Sequence, residues 1–277
     1  MTMKKALYTL LLFAAMTLIM SQPSTAQTAG IRTIPAFKAG ETLKCNLYFN
    51  WKFVWIKVGT ASMNITRAVY DGEPAYRTYL ITRGSERADK YFIMRDTLTA
   101  YTGLDLVPKK YTKYAHEGKN YYRDEVYYTY PNGQCQVQMM HQRNDNEPKH
   151  KNLTSKYCAF DMLSMMLRAR SFDPTNFKEG HRIKFLMADG KNCEWQSIVY
   201  RGKKKFQMEN SSTTYRCLVF SFMENEDGKE KEIVTFYITD DKNHLPVRLD
   251  MNLNFGTAKA FLTGARGLRN PQTAKIK

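Results

Sequence analysis

Tyrosines beside basic side chains form the pattern in this chain that could recognise a ligand. They crowd residues 107–116 and 121–130, two segments with the composition of β-strands, joined by a glycine-containing turn. Aromatic rings next to Lys or Arg can hold a sugar or an anionic lipid head group. The same tyrosines could instead cover an exposed sheet through cross-strand pairs. The candidate ligand residues in these segments are Tyr111, Lys113, Tyr122, Arg123 and Tyr128.

Side-chain alternation divides the second of these segments between two faces. Even-numbered residues from Tyr122 to Tyr130 share one face, and odd-numbered residues from Tyr121 to Thr129 share the other. Each face mixes tyrosine with charged side chains, so neither is purely apolar. This mixture is expected if one face lines a semi-polar cavity or groove.

Catalytic motifs are missing from the chain. A serine hydrolase places its nucleophile on a Gly-x-Ser-x-Gly turn, which does not occur, and Ser164 falls inside a predicted helix. Asp124 and Glu125 would point to opposite faces of a strand, whereas Asp240 and Asp241 have the setting of a turn. A structural role is therefore favoured over a glycosidase, an alternative that would need two carboxylates about 5–10 Å apart in one cleft. The sequence therefore predicts a protein that is not an enzyme and needs no cofactor.

Cysteine and histidine spacing indicates no ordinary metal site. Four residues that can bind zinc fall in one stretch, namely Cys135, His141, His150 and Cys158. They lack the paired spacing of zinc ligands, so we predict no metal. Because the chain has five cysteines, they cannot all pair. The alternatives are buried free thiols or a disulfide, for which Cys193 and Cys217 are the best candidates.

The start of the chain has the layout of a secretory signal peptide. A short basic beginning precedes an apolar run from Ala6 to Met20, which is too short for a membrane-spanning helix. Small residues follow, so we predict that residues 1–26 are removed by cleavage near Ala26. No cysteine follows before Cys45, so no lipid anchor is expected. The mature chain, residues 27–277, is predicted to be exported, periplasmic or otherwise, and soluble.

The remaining chain has the pattern of strand, turn, strand almost throughout. Signals such as Asp71-Gly72 and Pro131-Asn132-Gly133 separate short segments rich in aromatic and β-branched residues. This pattern predicts a single all-β domain, an antiparallel meander of about twelve strands that forms a curved sheet or incomplete barrel. Residues 143–158 are polar and interrupt the rhythm, which suggests a subdomain break or a mobile loop.

One helix is predicted, over residues 160–170, with Asp161 at its start and Arg168 and Arg170 at its end. Methionine is adaptable and suits a pocket that repacks. Met162 and Met166 are therefore candidate ligand residues if this helix plugs the mouth of a barrel. The alternative is a plain core helix.

The charge composition indicates which classes of partner the protein can bind. The chain has 42 Lys and Arg against 26 Asp and Glu, a net charge of +16. This charge favours anionic partners such as lipid head groups or envelope polymers. The basic residues are spread thinly and match no nucleic-acid-binding motif, so no nucleic acid partner is predicted.

Several short motifs, in this order, resemble a known family. They include Phe37-x-x-Gly40-Glu41, Tyr91-Phe92-x-x-Arg95-Asp96, Phe160-Asp161-x-Leu163-Ser164, Tyr215-x-Cys217-Leu218 and Leu245-Pro246-Val247. Together they resemble the exported bacterial family catalogued as domain of unknown function 3108. The resemblance implies export in a Gram-negative bacterium, no established activity, and a partly open barrel like the periplasmic lipoprotein carriers.

Two functional hypotheses follow. The first is a non-enzymatic periplasmic carrier or binding protein for a lipid or other amphiphile, held in the interior of an open barrel. The alternative is an interaction module of the cell envelope that binds polysaccharide or an outer-membrane protein through a basic, tyrosine-rich face.

Overall fold

Alternation of apolar and polar residues builds β-strands along most of the chain. The computed structural model describes residues 34–51, 54–208, 212–226, 229–253 and 256–276, so the predicted signal peptide lies outside the described residues. The strands are β1 (Thr42–Trp51), β2 (Val54–Tyr70), β3 (Glu73–Gly84), β4 (Met94–Gly103), β5 (Pro108–Glu117), β6 (Asn120–Thr129), β7 (Cys135–Arg143), β8 (Lys149–Ser155), β9 (Ala159–Phe160), β10 (Arg182–Ala188), β11 (Cys193–Gln207), β12 (Thr214–Glu226), β13 (Lys229–Thr239), β14 (Pro246–Leu253) and β15 (Gly256–Arg266).

These strands form one sheet in the order β8-β7-β6-β5-β4-β3-β2-β1-β15-β14-β13-β12-β11-β10-β9. Neighbours pair antiparallel except β9 and β10, which pair parallel over two residues. The first and last long strands join, since Thr42 of β1 lies opposite Arg266 of β15. The sheet is therefore a nearly closed, barrel-like structure with a single seam between β8 and β9. This confirms the predicted all-β incomplete barrel.

The strand count differs from the prediction, because the described residues contain 15 strands and not about twelve. The polar segment after β7 is not a long loop. After a turn, its residues Lys149–Ser155 return as β8 and pair with β7. Polar side chains are tolerated there because β8 is an edge strand with one neighbour and largely exposed side chains. Short β9 also adds to the count.

The dipeptide Arg201-Gly202, whose composition is typical of a turn, does not end a strand. The chain continues through it as part of β11, and a register shift between Tyr200 and Lys203 marks an irregularity in the pairing with β12. Gly202 has a φ of +91°, a conformation that favours glycine and produces a bulge without ending the strand.

Two helices complete the fold: α1 (Glu86–Asp89) and α2 (Met162–Arg170). Asp161 caps α2, as predicted, since its carboxylate accepts from the backbone N–H of Leu163 and Ser164 at 3.0 and 2.9 Å. In return, the Ser164 hydroxyl oxygen accepts a hydrogen bond from the Asp161 N–H, which completes a capping box. The helix begins two residues later than predicted because Phe160 belongs to β9. No described helix is long and apolar enough to cross a bilayer.

The interior of the barrel is filled around α2, which contacts three apolar clusters. Leu167 packs in a first cluster with residues that include Phe37, Ile65 and Leu245. Leu163 belongs to a second cluster beneath β4–β7, and Met165 to a third beside β10 and β11. Each fully buried side chain of this size contributes roughly 1.5–3 kcal/mol. The helix is thus a central part of the core.

None of the five cysteines, all of which lie in the described part of the chain, forms a disulfide. Of the two alternatives, the structure fits thiols at Cys193 and Cys217 and not a disulfide between them, although their strands β11 and β12 are neighbours. Cys217 lies opposite Lys204, near the other end of β11 from Cys193. The two thiols consequently belong to different apolar clusters.

Candidate functional site

The outward face of β3–β7 carries a basic and aromatic depression, called here the outer groove. Because side chains alternate along a strand, residues adjacent in sequence to the apolar core positions face outward. One cross-strand row joins Arg83, Arg95, His116 and Tyr121. A second row joins Thr97, Tyr114, Arg123 and Gln142. Together with Ala115, Tyr122 and Asn144, these two rows line a depression of about 470 Å³.

The cations of the outer groove are held in different ways. Arg95 forms an ion pair with Asp89 of α1. Arg123 pairs with Glu125, with a distance of 2.8 Å between Nε and Oε1. Arg83 donates to the backbone oxygens of Thr82 and Asp96, and among the described residues no carboxylate forms an ion pair with it. Its exposed positive charge is available to an anionic ligand.

Aromatic rings give the outer groove its flat surfaces. The ring of Tyr121 is exposed and stacks on His116, with 4.0 Å between the ring centroids and an angle of 19° between their planes. The Tyr114 ring lies 5.9 Å from the Arg123 guanidinium carbon, and its hydroxyl donates to Glu125 at 3.2 Å. Stacked rings beside guanidinium groups can bind the face of a sugar and its charged substituents.

The charge of Glu125 is fixed by its neighbours. Burial alone would raise the pKa of this carboxyl, but donation from Arg123, Tyr127 and Tyr114 outweighs burial and lowers the pKa. Glu125 therefore stays ionised and holds both Arg123 and Tyr114 in place.

The inward face of the same strands carries a second polar group, which we call the inner polar cluster: Asp96, Lys113, Tyr122, Asp124 and His141. His141 Nδ1 lies 2.5 Å from Asp124 Oδ1, and Asp96 accepts from the Thr82 hydroxyl at 2.8 Å. Burial raises the pKa of both carboxyls, and for Asp124 the hydrogen bond from His141 opposes this effect. Lys113 Nζ lies 5.6 Å from the centre of the Tyr122 ring and pairs with Glu117.

The structure divides the predicted ligand residues among three environments. Lys113 belongs to the inner polar cluster, and Arg123 lies on the opposite face in the outer groove. Tyr122 belongs to the inner polar cluster and also lines the outer groove. Tyr111 and Tyr128 are core residues of the second apolar cluster, where burial raises the pKa of each phenol. Alternation along 122–130 is confirmed by the register with β7.

The two candidate methionines of α2 have separate surroundings. Met162 is exposed, and Met166 is half-buried against both the first and the second apolar cluster. Neither lies in the outer groove.

Sequence reasoning missed most of the outer groove. Arg83, Arg95 and His116 were not among the ligand candidates, and Tyr114 and Tyr121 lie in the tyrosine-rich segments but were not selected from them. Side-chain alternation along β6 correctly placed Tyr121 on the same face as Arg123. The same alternation along β5 would have placed Tyr114 and His116 together on one face. Arg83 and Arg95 needed the pairing of β3 with β4, which a single sequence does not specify.

The structure does not bring together the residues of the other candidate sites considered from the sequence. Cys135 and Cys158 meet, but His141 is bound to Asp124, and His150 lies on the other face of the sheet. Within the described part of the chain, no group of three or more His, Cys, Asp or Glu side chains could hold a metal ion. Asp240 pairs with Lys203, and Asp241 accepts from Thr239 and Asn243 in a turn.

Comparison with known proteins extends these observations. The chain is similar to a β-barrel-like protein of domain of unknown function DUF1849 from Brucella abortus, whose crystal structure superposes with a TM-score of 0.51 at 10% identity. The similarity covers 85% of this chain and 98% of that one, which supports the barrel-like fold alone. No curated protein matches the chain. The model of a protein family of unknown function, DUF3108, matches residues 44–263, and the chain belongs to this family.

Proposed function

We propose that this protein is a non-enzymatic binding module of the cell envelope that holds an anionic polysaccharide in the outer groove. One observation carries the proposal: the exposed guanidinium of Arg83 opens onto the same depression as the stacked Tyr121 and His116 rings. A chain of acidic sugars offers carboxylates for the cation and ring faces for the aromatics. The net charge of +16 would attract such a polymer from a distance.

The groove suits an extended polymer better than a small molecule. It is an open depression across five adjacent strands, and both cross-strand rows run along it. A small ligand would normally need an enclosed pocket that removes most of its surface from water. A polymer can instead sum several weak, solvent-exposed contacts along the two rows.

Fluorescence anisotropy with two labelled polymers tests the proposal. We expect binding of a polyuronate and no binding of dextran, which is uncharged. Binding should weaken when the ionic strength rises from about 0.01 M to about 0.15 M, because the Debye length shrinks from about 30 to about 8 Å. Arg83→Glu should abolish binding, whereas Lys205→Glu, an exposed charge change on β11, should preserve most of it. Equal binding of both polymers, or equal loss in both variants, would refute the proposal.

A second candidate is carriage of an amphiphile in the barrel interior. It is favoured by the position of α2, whose Leu163, Met165 and Leu167 occupy the centre of three apolar clusters next to the seam. Outward movement of α2 between β8 and β9 would open an apolar space for an acyl chain. Native mass spectrometry of protein purified from its own cells, repeated after organic extraction, tests this candidate. A stoichiometric lipid mass that disappears on extraction would support it, and protein at its bare mass in both spectra would oppose it.

A further inference from the structure

Two thiols lie close together beside the edge strand β8. Cys135 begins β7, and Cys158 lies between β8 and β9, in the segment that leads to α2. The two side chains are near enough for each to shift the pKa of the other. The backbone confirms this proximity, because the N–H of Ala159 donates to Cys135 Sγ at 3.4 Å. The described structure therefore juxtaposes two sulfurs that are far apart in sequence.

The surroundings of this pair differ from those of an ordinary buried thiol. The Tyr130 hydroxyl lies 3.6 Å from Cys158 Sγ. Arg168 of α2 is buried, and its positive charge acts on Cys158. Cys45, by contrast, is a single thiol packed against the first apolar cluster, where burial raises its pKa to about 11.

These neighbours allow the pair to hold one negative charge. The neighbouring Cys158 thiol, together with the Ala159 N–H, lowers the pKa of Cys135 against the opposing effect of burial. The same contact, together with burial, raises the pKa of Cys158. The contacts therefore favour a thiolate on Cys135 and a thiol on Cys158.

We propose that Cys135 and Cys158 form a thiol–disulfide exchange site that closes into an intramolecular disulfide when a small-molecule or protein disulfide oxidises it. The product would link β7 covalently to the segment before α2, beside the seam of the barrel. This inference is independent of the proposed polysaccharide site, because the outer groove contains neither cysteine.

The exchange balances with oxidised glutathione as the oxidant. Cys158 is the more exposed of the two residues, so it is the entry point, and the Cys135 thiolate is the base that takes its proton. As this proton passes to Cys135, the Cys158 sulfur attacks one sulfur of the oxidised glutathione, whose S–S bond breaks, and a glutathione thiolate leaves and takes up a proton. Cys135 then gives up its proton and attacks Cys158 sulfur, which releases the second glutathione. The two cysteines lose two electrons, which reduce one glutathione disulfide to two thiols.

Peptide mapping of the full chain tests the proposal. Reduced protein is incubated with oxidised glutathione, quenched with acid, digested without reduction and analysed by mass spectrometry. We expect one dominant cross-linked peptide pair that contains Cys135 and Cys158 and has lost two hydrogens. Cys158→Ser should abolish this cross-link, and Cys45→Ser should leave it unchanged.

Three results would overturn the proposal: a dominant cross-link between other cysteines, glutathione adducts that never resolve into the Cys135–Cys158 link, or no reaction at all. Because a substituted protein could misfold, the wild-type chain supplies a second readout. After oxidation, Cys135 and Cys158 should together become protected from alkylation in denaturant, while Cys45, Cys193 and Cys217 remain reactive. Protection of any other pair would also contradict the assignment.

Discussion

Arg170 at the end of α2 forms a buried, two-pronged ion pair with Glu41, which immediately precedes β1. Nη1 lies 2.6 Å from Oε1 and Nη2 lies 3.1 Å from Oε2, and the side chains are 2% and 0% exposed. Arg170 also donates to the backbone oxygens of Asn243 and His244. One guanidinium therefore ties the central helix to two distant parts of the barrel.

Removal of one partner of this ion pair should strongly lower the free energy of unfolding. Glu41→Ala leaves the Arg170 cation buried without its carboxylate, so the free energy of unfolding should fall by about 3–5 kcal/mol. Urea denaturation followed by circular dichroism measures the change. The double variant Glu41→Leu with Arg170→Met is the control, because it removes both charges, and it should lose less than Glu41→Ala. A cost below about 1 kcal/mol for Glu41→Ala would mean that the pair does not anchor α2.

Asp161, the cap of α2, should make stability depend on pH. Burial raises the pKa of this carboxyl to about 6, although hydrogen bonds from Ser164 and Leu163 oppose the shift. An unfolded aspartate has a pKa of about 3.9. Between these values the folded protein binds more protons than the unfolded chain, so this residue lowers the free energy of unfolding as the pH rises from about 4 to about 6.

Asp161→Asn tests this dependence, because asparagine still caps a helix and does not titrate. Relative to wild type, the variant should gain roughly 2–3 kcal/mol of unfolding free energy between about pH 4 and about pH 7. Urea titrations at several pH values measure the difference. Parallel stability curves for the two proteins would show that Asp161 does not titrate in this range.

Gly190, in the turn after β10, should resist substitution. Its φ is +101°, and an added Cβ would lie 2.5 Å from Cβ of Asp124 on β6. Gly133 provides a matched control, since its φ is +74° but no atom lies within 4 Å of an added Cβ. Both alanine variants incur backbone strain, but only Gly190→Ala adds a steric clash. Gly190→Ala should therefore lower the free energy of unfolding by about 1–3 kcal/mol more than Gly133→Ala. Equal losses in thermal or urea denaturation would mean that the turn moves away from Asp124 freely.

Tyr121 should contribute to binding and not to folding. The residue is 59% exposed, and its ring stacks on that of His116. Tyr121→Ala should weaken binding of the labelled polyuronate by about two- to tenfold, as expected for an exposed ring contact of about 0.5–1.5 kcal/mol. Its unfolding free energy should stay within about 0.5 kcal/mol of wild type.

Tyr157→Ala is the control for this ring, because Tyr157 packs edge-on against Trp195 outside the outer groove. This variant should bind the polyuronate as wild type does. A loss of affinity in Tyr157→Ala that equals the loss in Tyr121→Ala would move the binding surface away from the groove.

Local residue patterns by themselves determined the fold class and several details of it. Alternation separated Tyr122 from Arg123 correctly, because the side-chain period of a strand is independent of its partners. Asp161 indicated the start of α2, since a helix cap needs only neighbouring backbone groups. The short motifs also indicated the family, which the match over residues 44–263 confirms.

Tertiary structure alone decided which residues meet. Pairing of β3 with β4 brought Arg83 beside Arg95, and closure of β1 on β15 joined segments more than two hundred residues apart. The contact between Cys135 and Cys158, and the absence of one between Cys193 and Cys217, depend in the same way on register. A one-residue slip in register reverses every side chain of a strand. Register is fixed by bulges and by packing around α2, which are properties of the whole chain and not of any local segment.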